Sequence, residues 1–128
     1  MLHESCLRMP NDVLIVEDDA IIAIDFETTI LDFGVQWVRT ATHVAEALAM
    51  IDERAPDFAL LDVALGHETS FEVAARLDAL GTPFAFVTGY RPDVALTSRF
   101  PGRPVLSKPC LRDELEAVLR SAPEPATE

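Results

Sequence analysis

The sequence contains few cysteines and no long apolar run. Cys6 and Cys110 are its only two cysteines, and they form no Cys-x-x-Cys pair. This argues against a structural zinc site and a disulfide scaffold, so we expect two reduced thiols. No window approaches the roughly 20 apolar residues of a membrane span, and residues 1–11 lack the apolar stretch of a signal peptide. We therefore expect a cytoplasmic protein.

Basic residues are also scarce. Ten lysines and arginines stand against 22 acidic residues, which gives a formal net charge of −12. Nucleic acid and anionic membranes both require a basic face on their partner, so we expect neither as a partner. With 128 residues, 49% of them hydrophobic, the chain has the size and composition of one soluble globular domain.

The predicted domain spans residues 12–121, between an N-terminal extension, residues 1–11, and a C-terminal tail, residues 122–128. The tail has two prolines and two glutamates in seven residues, so we expect it to be disordered. The sequence contains no internal repeat, and we expect no second domain and no separate output module.

Short apolar runs alternate with stretches of helical periodicity along the chain. In this setting, runs of four or five apolar residues are typical of buried strands in a parallel sheet. The pattern predicts five βα units, (βα)5, which form a doubly wound, five-stranded α/β sheet with helices on both faces. The predicted strands are residues 12–16, 35–40, 58–61, 84–87 and 105–107.

End signals predict where the helices begin and stop. We expect Thr42 to cap the second helix and Ser70 to cap the third, because hydroxyl oxygens accept hydrogen bonds from the first N–H groups of a helix. Gly81 should end the third helix. Leu111 is predicted to lie with Leu115 on the apolar side of the last helix.

A polar residue stands at the end of each of four apolar runs. Because the carboxyl ends of parallel strands meet at one edge of a sheet, these residues should converge there. Clustered acids can bind Mg²⁺, a carboxylate can accept a phosphoryl group, and a hydroxyl and an ammonium can bind its oxygens. The residues are Glu17 and Asp18, Asp62, Thr88 and Lys108.

Each of these residues also has an ordinary structural explanation. The acids at residues 17–19 suit the start of a helix, whose dipole favours negative charge, and Asp19 is best explained as an N-cap. A lone acid such as Asp62 is common at a strand end. Lys108 fits a surface lysine, and Thr88 fits β-propensity before a turn. Taken one at a time, the residues leave both explanations open.

Taken together, Glu17-Asp18, Asp62, Thr88 and Lys108-Pro109 closely resemble the receiver domain of two-component response regulators. The resemblance covers about residues 12–120, includes the order of the elements, and implies the flavodoxin-like receiver fold. The motif FVTGY at residues 86–90 further resembles the signature of the single-domain "FAT GUY" receivers.

The resemblance implies an acceptor and a metal site. Asp62 would accept a phosphoryl group from a histidine kinase or a histidine phosphotransferase. Mg²⁺, or Mn²⁺ in its place, would be bound by Asp18, Asp62 and the backbone carbonyl of Ala64. Glu17 would act on the metal through water.

The resemblance also implies phosphoryl-binding residues, with departures from the family pattern. Lys108 would pair with the phosphoryl group during transfer, and Thr88 would hydrogen-bond to it as the first part of a switch. Many receivers have an aromatic switch residue where this chain has Val105, and a proline in the loop where it has Leu65-Gly66. Tyr90 is the obvious substitute for the aromatic residue, and an ordinary half-buried aromatic is an equal alternative.

The resulting hypothesis is a stand-alone receiver that signals to an unknown protein target. We expect it to catalyse only its own Mg²⁺-dependent phosphorylation and dephosphorylation, and not to be an enzyme otherwise. One alternative is a pseudo-receiver that binds partners without phosphate. Another is a Mg²⁺-dependent phosphatase of the haloacid-dehalogenase type, in which Glu17 would be a poor nucleophile. The face from Asp93 to Leu119 suits a homodimer or an acidic partner, because it includes or adjoins four arginines. An equally good explanation for these arginines is that they are spread over the surface for solubility. These arginines are Arg91, Arg99, Arg103 and Arg112.

Overall fold

The computed structural model describes residues 9–89 and 99–121. Within these residues the strands are β1 (Asp12–Val16), β2 (Trp37–Ala41), β3 (Phe58–Asp62), β4 (Ala64–Leu65), β5 (Glu68–Thr69), β6 (Phe84–Thr88) and β7 (Val105–Ser107). The helices are α1 (Ala20–Asp32), α2 (Val44–Glu53), α3 (Phe71–Leu80) and α4 (Arg112–Arg120). None of these helices is long and apolar enough to span a bilayer.

Five strands form one parallel sheet in the order β2-β1-β3-β6-β7. The register aligns the strand ends, since Val16 pairs with Ala41 and with Leu61, while Asp62 pairs with Val87 and Thr88 with Ser107. The predicted five-stranded α/β sheet of the flavodoxin-like receiver fold is therefore confirmed. The residues that follow β1, β3, β6 and β7 lie at the same edge.

Two hydrophobic clusters cover the two faces of the sheet. One joins α2 and α3 to residues such as Leu14 and Phe86, and the other joins α1 and α4 to residues such as Ile15 and Val87. Neighbouring residues of a strand point to opposite faces, so strands buried on both sides are apolar except where a polar residue stands at a strand end. The central strands β1, β3 and β6 are buried at every position.

Three predictions about the helix ends are wrong in detail. His43, not Thr42, occupies the N-cap position of α2. Ser70 does occupy the N-cap position of α3, but its buried hydroxyl makes no capping hydrogen bond and finds no partner within residues 9–89 and 99–121. Leu111 lies one residue before α4 and is 63% exposed, because the burial stripe of α4 begins only at Leu115. The predicted stop at Gly81 is confirmed, with φ of +76°.

A short hairpin follows β3 and was not predicted. Its strands β4 and β5 pair in antiparallel fashion, Ala64 with Thr69 and Leu65 with Glu68. Gly66 lies in the turn with φ of +63°, a conformation that favours glycine. The side chain of Leu65 is buried, so the hairpin is fixed to the core directly beside the end of β3.

An aromatic cluster holds the segment that precedes β7. Phe100 is buried, and its ring lies 5.6–6.0 Å from three other rings, measured between centroids. The backbone N–H of Phe86 donates to the carbonyl of Pro104, which adds a main-chain tie. Residues 99–104 are thus packed onto the sheet. The other rings of the cluster are those of Phe71, Phe84 and Phe86.

Candidate functional site

The end of β1 turns one acidic side chain inward and leaves the next exposed. Glu17 is 1% exposed, whereas Asp18 is exposed. Asp19 is the N-cap of α1, since its Oδ1 accepts hydrogen bonds from the N–H groups of Ile21 (2.9 Å) and Ile22 (3.1 Å). The N–H of Asp19 in turn donates to Oε2 of Glu17 at 3.1 Å. The cap and the buried carboxylate are therefore parts of one tight turn.

Lys108 connects the acidic residues of two strands. Its Nζ donates a hydrogen bond of 3.0 Å to Oδ2 of Asp62, which is buried at the end of β3. The same Nζ lies 3.0 Å from Oε1 of Glu17. This second contact is an ion pair; Oε1 of Glu17 is buried, and no donor among the described residues makes an aligned hydrogen bond with it. One ammonium thus faces two buried carboxylates.

The clustered charges shift the pKa values of two groups. Burial, followed by the hydrogen-bonding contact with Asp62, raises the pKa of Glu17 to about 7. Burial alone would lower the pKa of Lys108, but its contacts with Glu17 and Asp62 outweigh that effect and raise it. Lys108 is therefore a firmly charged group in a site where negative charge is costly.

The three acids fit a divalent cation. Glu17, Asp18 and Asp62 each offer one carboxylate oxygen, and these oxygens lie within 4.8 Å of one another. Mg²⁺ prefers a few carboxylates completed by waters or phosphate oxygens, which is the kind of donor set that these three acids offer. Ala64, whose carbonyl is the remaining predicted ligand, lies two residues beyond Asp62 at the start of β4.

Thr88 and Lys108 belong to adjacent strand ends. Thr88 is the buried last residue of β6, one position beyond the residue that pairs with Asp62. Its carbonyl accepts a 2.8 Å hydrogen bond from the backbone N–H of Lys108, whose peptide bond to Pro109 is cis. The predicted site residues from Glu17 to Lys108 thus lie at one edge of the sheet. Tyr90 lies outside the described residues.

A groove beside Lys108 was missed by the sequence analysis. It has a volume of about 270 Å³ and is lined by α1 and by residues 108–110. Ile21 is 80% exposed and Ile24 is 60% exposed on the same helix, and the exposed Leu111 follows the groove's other wall. Helical periodicity identified only the buried side of α1. The two isoleucines on the outer side of the helix are the sequence feature that could have revealed this surface.

The match to a known family decides the identification. The sequence profile of the response regulator receiver domain matches residues 13–120. This chain is a response regulator receiver domain. Receiver domains act in two-component signalling and bind Mg²⁺ at an acidic pocket such as the one formed here. No curated protein matches this receiver by sequence.

Solved structures give the same fold. SdrG from Sphingomonas melonis Fr1 is 40% identical with a TM-score of 0.75, and the match covers 88% of this chain and 95% of SdrG. The response regulator PhyR from Brucella abortus is 25% identical with a TM-score of 0.76, covering 92% of this receiver but 50% of PhyR. The receiver domain of PhyR from Erythrobacter litoralis is 21% identical with a TM-score of 0.79 over 92% of this chain and 96% of that one, which shows the fold alone. This receiver spans about half the length of the full PhyR chains.

Proposed function

We propose that this receiver accepts a phosphoryl group on Asp62 from a histidine kinase or a histidine phosphotransferase and signals through protein–protein contacts. The observation that carries the proposal is the position of Asp62: it is buried at a strand end, bonded to Lys108, and clustered with Glu17 and Asp18. A carboxylate nucleophile needs neighbouring cations to admit a phosphoryl group into an acidic pocket.

In the proposed transfer, a carboxylate oxygen of Asp62 bonds to phosphorus as the bond from phosphorus to the donor's imidazole nitrogen breaks. The imidazole leaves with the electron pair of that bond, and the product is an aspartyl phosphate. The Nζ of Lys108 lies 3.0 Å from the acceptor carboxylate, and after transfer it would pair with the negatively charged phosphoryl oxygens. Thr88 would donate its hydroxyl hydrogen to one of these oxygens.

The metal would be held by Glu17, Asp18 and Asp62, together with the backbone carbonyl of Ala64. When bound, Mg²⁺ neutralises the phosphoryl oxygens, and Mn²⁺ is expected to substitute for it because it prefers the same oxygen ligands. Glu17 contributes a second task, because its buried carboxylate holds Lys108 in place through the 3.0 Å ion pair. The site is thereby oriented before the phosphoryl group arrives.

The groove beside Lys108 suits the phosphoryl donor. Ile21 and Ile24 present apolar surface on α1 at the edge of the sheet where Asp62 lies, and exposed apolar patches commonly mark docking surfaces. A donor helix seated there would bring its histidine to the acceptor.

A phosphatase of the haloacid-dehalogenase type would need a nucleophile at the position of Glu17. That carboxylate is 1% exposed, with one oxygen bonded to the N–H of Asp19 and the other facing Lys108. A substrate phosphorus has no approach to it, so the geometry favours Asp62 as the acceptor.

Incubation with acetyl phosphate and Mg²⁺, followed by intact-mass measurement, tests the proposal. We expect the gain of one phosphoryl group, which disappears without Mg²⁺ and in Asp62→Asn, a variant that keeps the shape of the side chain. A pseudo-receiver gains none in any condition. A phosphoryl group retained by Asp62→Asn would overturn the assignment, and release of phosphate from a generic phosphomonoester would support the phosphatase.

A further inference from the structure

Nearly all positive charge among the described residues is neutralised within the chain itself. Six arginines and Lys108 each lie against at least one carboxylate of this chain. The arginine pairs are Arg39 and Arg54 with Asp12, Arg76 with Asp52, Arg103 with Asp78, Arg112 with Asp32, and Arg120 with Glu116. In a chain of net charge −12, this pairing is the expected use of scarce cations.

Arg99 is different from every other arginine that the structure describes. Its side chain is exposed, and among the described residues no carboxylate forms an ion pair with it. Its guanidinium carbon lies 4.9 Å from the centroid of the Phe71 ring and 5.9 Å from that of Phe100. Both rings are buried parts of the aromatic cluster, so the surface under the guanidinium is rigid.

A cation–π contact holds a guanidinium beside a ring without pairing its charge with a carboxylate. The side chain of Arg99 is exposed and has no ion-pair partner among the described residues, so its N–H donors remain open to an outside carboxylate. A guanidinium held in this way loses less conformational freedom when it binds, which favours a bidentate contact with a planar carboxylate. Arg99 is therefore a preorganised donor that no acid of the described chain occupies.

We infer that Arg99 is the point at which this receiver binds a carboxylate side chain of its protein target. The inference rests on the proposed function in one respect, namely that the receiver signals by binding a protein. Of the four arginines that suggested an acidic partner, Arg103 and Arg112 are internally paired and Arg91 lies outside the described residues. Of these four arginines, Arg99 is therefore the described one that is left to bind a partner, and it lies beside the first turn of α3. The competing explanation is that Arg99 only shields two phenylalanine rings from water.

The test uses the full chain and two alanine-based helical peptides. One peptide carries glutamates four residues apart, and its control carries glutamines at the same positions. Titrations at constant ionic strength follow the Nε–Hε signals of the arginines by NMR. We expect a saturable shift of the Arg99 signal with the glutamate peptide and none with the glutamine peptide. An unchanged Arg99 signal would overturn the inference, as would an equal shift with inorganic phosphate, which would make the site a general anion contact.

Two matched variants separate recognition from shielding. Arg99→Met keeps an apolar cover over Phe71 and removes the donors, so peptide binding should weaken about tenfold or more. Arg76→Met removes the same charge from a guanidinium paired with Asp52 and should leave peptide binding unchanged. Equal binding by wild type and Arg99→Met would refute the role of Arg99. Arg99→Met leaves the Asp62 pocket intact, so acetyl phosphate should still phosphorylate this variant. If acetyl phosphate does not phosphorylate even the wild-type protein, the proposed function is refuted, and the inference about Arg99 is not what failed.

Discussion

At the scale of single residues, Lys108 and a divalent cation would compete for the same oxygens. The ammonium faces one oxygen of Glu17 and one of Asp62, and both acids belong to the group that offers ligands to a metal. Two positive charges in so small a volume repel each other strongly. Metal binding should therefore require the ammonium to withdraw from at least one carboxylate.

Lys108→Met tests this competition. The substitution keeps most of the side-chain volume and removes the charge, so we expect the dissociation constant for Mg²⁺ to fall about tenfold, equivalent to about 1.4 kcal/mol. Phosphorylation by acetyl phosphate should nevertheless slow, since the phosphoryl oxygens lose a cation. Amide NMR titrations with Mg²⁺ measure the affinity, with Arg76→Met as a charge-matched control. Weaker metal binding in Lys108→Met would show that the ammonium does not compete.

Asp19 contributes to the site by fixing the turn that holds Glu17 and Asp18. Asp19→Ala should destabilise the fold by about 1 kcal/mol through the lost cap, and weaken Mg²⁺ binding. Asp19→Asn should restore both properties, because its amide oxygen can accept the same two hydrogen bonds. Urea unfolding and Mg²⁺ titration of the two variants provide the measurements. If Asp19→Asn binds Mg²⁺ as weakly as Asp19→Ala does, the charge of Asp19 supports metal binding and its capping hydrogen bonds do not.

At the scale of elements, α2 begins with a hydrogen-bonding arrangement that the sequence analysis did not identify. Thr42 is not the cap; its N–H (2.9 Å) and its hydroxyl (3.1 Å) both donate to Oε1 of Glu46. The backbone hydrogen bond from Thr42 is the main reason that the pKa of Glu46 is lowered from its ordinary value of 4.5. The ionised form of Glu46 therefore stabilises the start of the helix.

Glu46→Gln removes this titration. A carboxyl whose pKa is lower in the folded state stabilises the fold above its unfolded pKa of 4.5, and this contribution is lost as the pH falls through the folded pKa. Because the side chain is exposed, we expect a cost of only about 0.5 kcal/mol at pH 7 and none at low pH. Urea unfolding of both proteins at several pH values measures the difference. A cost that persists unchanged at pH 3 would contradict the assignment to ionised Glu46.

The outer face of α1 provides a second prediction at this scale. Ile24→Lys places a charge on the proposed docking surface, where the side chain is 60% exposed and contributes little to the core. We expect slower transfer from a phosphorylated histidine phosphotransfer domain and an unchanged rate from acetyl phosphate, which needs no docking. Leu80→Lys, at a 53% exposed position on α3, is the control. Equal slowing with both donors would place the effect in the chemistry of Asp62.

At the scale of the whole molecule, the sequence predicted the sheet because burial on both faces leaves an uninterrupted apolar run. It also predicted which residues share an edge, since strand ends in a parallel sheet are aligned by the register. It did not predict the 3.0 Å bridge of Lys108 to Glu17, because the two partners are 91 positions apart in the sequence and only packing brings them together. The β4–β5 hairpin was missed because strands of two residues are too short to show a periodic pattern. The exposure of Leu111 was missed because its spacing fits the apolar stripe of α4.

The aromatic cluster packs the segment before β7 against α3 and β6. Phe100→Ala removes a ring that contacts Phe71, Phe84 and Phe86, so we expect the free energy of unfolding to fall by about 3 kcal/mol. Leu80→Ala, at an exposed position, should cost far less. Urea unfolding of the full chain measures both. A cost below about 1 kcal/mol for Phe100→Ala would mean that residues 99–104 contribute little to the core.

Lys108 is the chain's only lysine, since the other nine basic residues are arginines. A reagent that acylates amines therefore has one side-chain target in this protein, and that target lies between the two buried carboxylates. Only an unprotonated amine reacts, and the contacts that raise the pKa of Lys108 keep it protonated. The rate of acylation of Lys108, followed by the mass of the peptide that contains it and so separated from acylation of the α-amino group, thus reports the electrostatic state of the pocket without a mutation. The near-absence of lysine makes the site chemically addressable in the native chain.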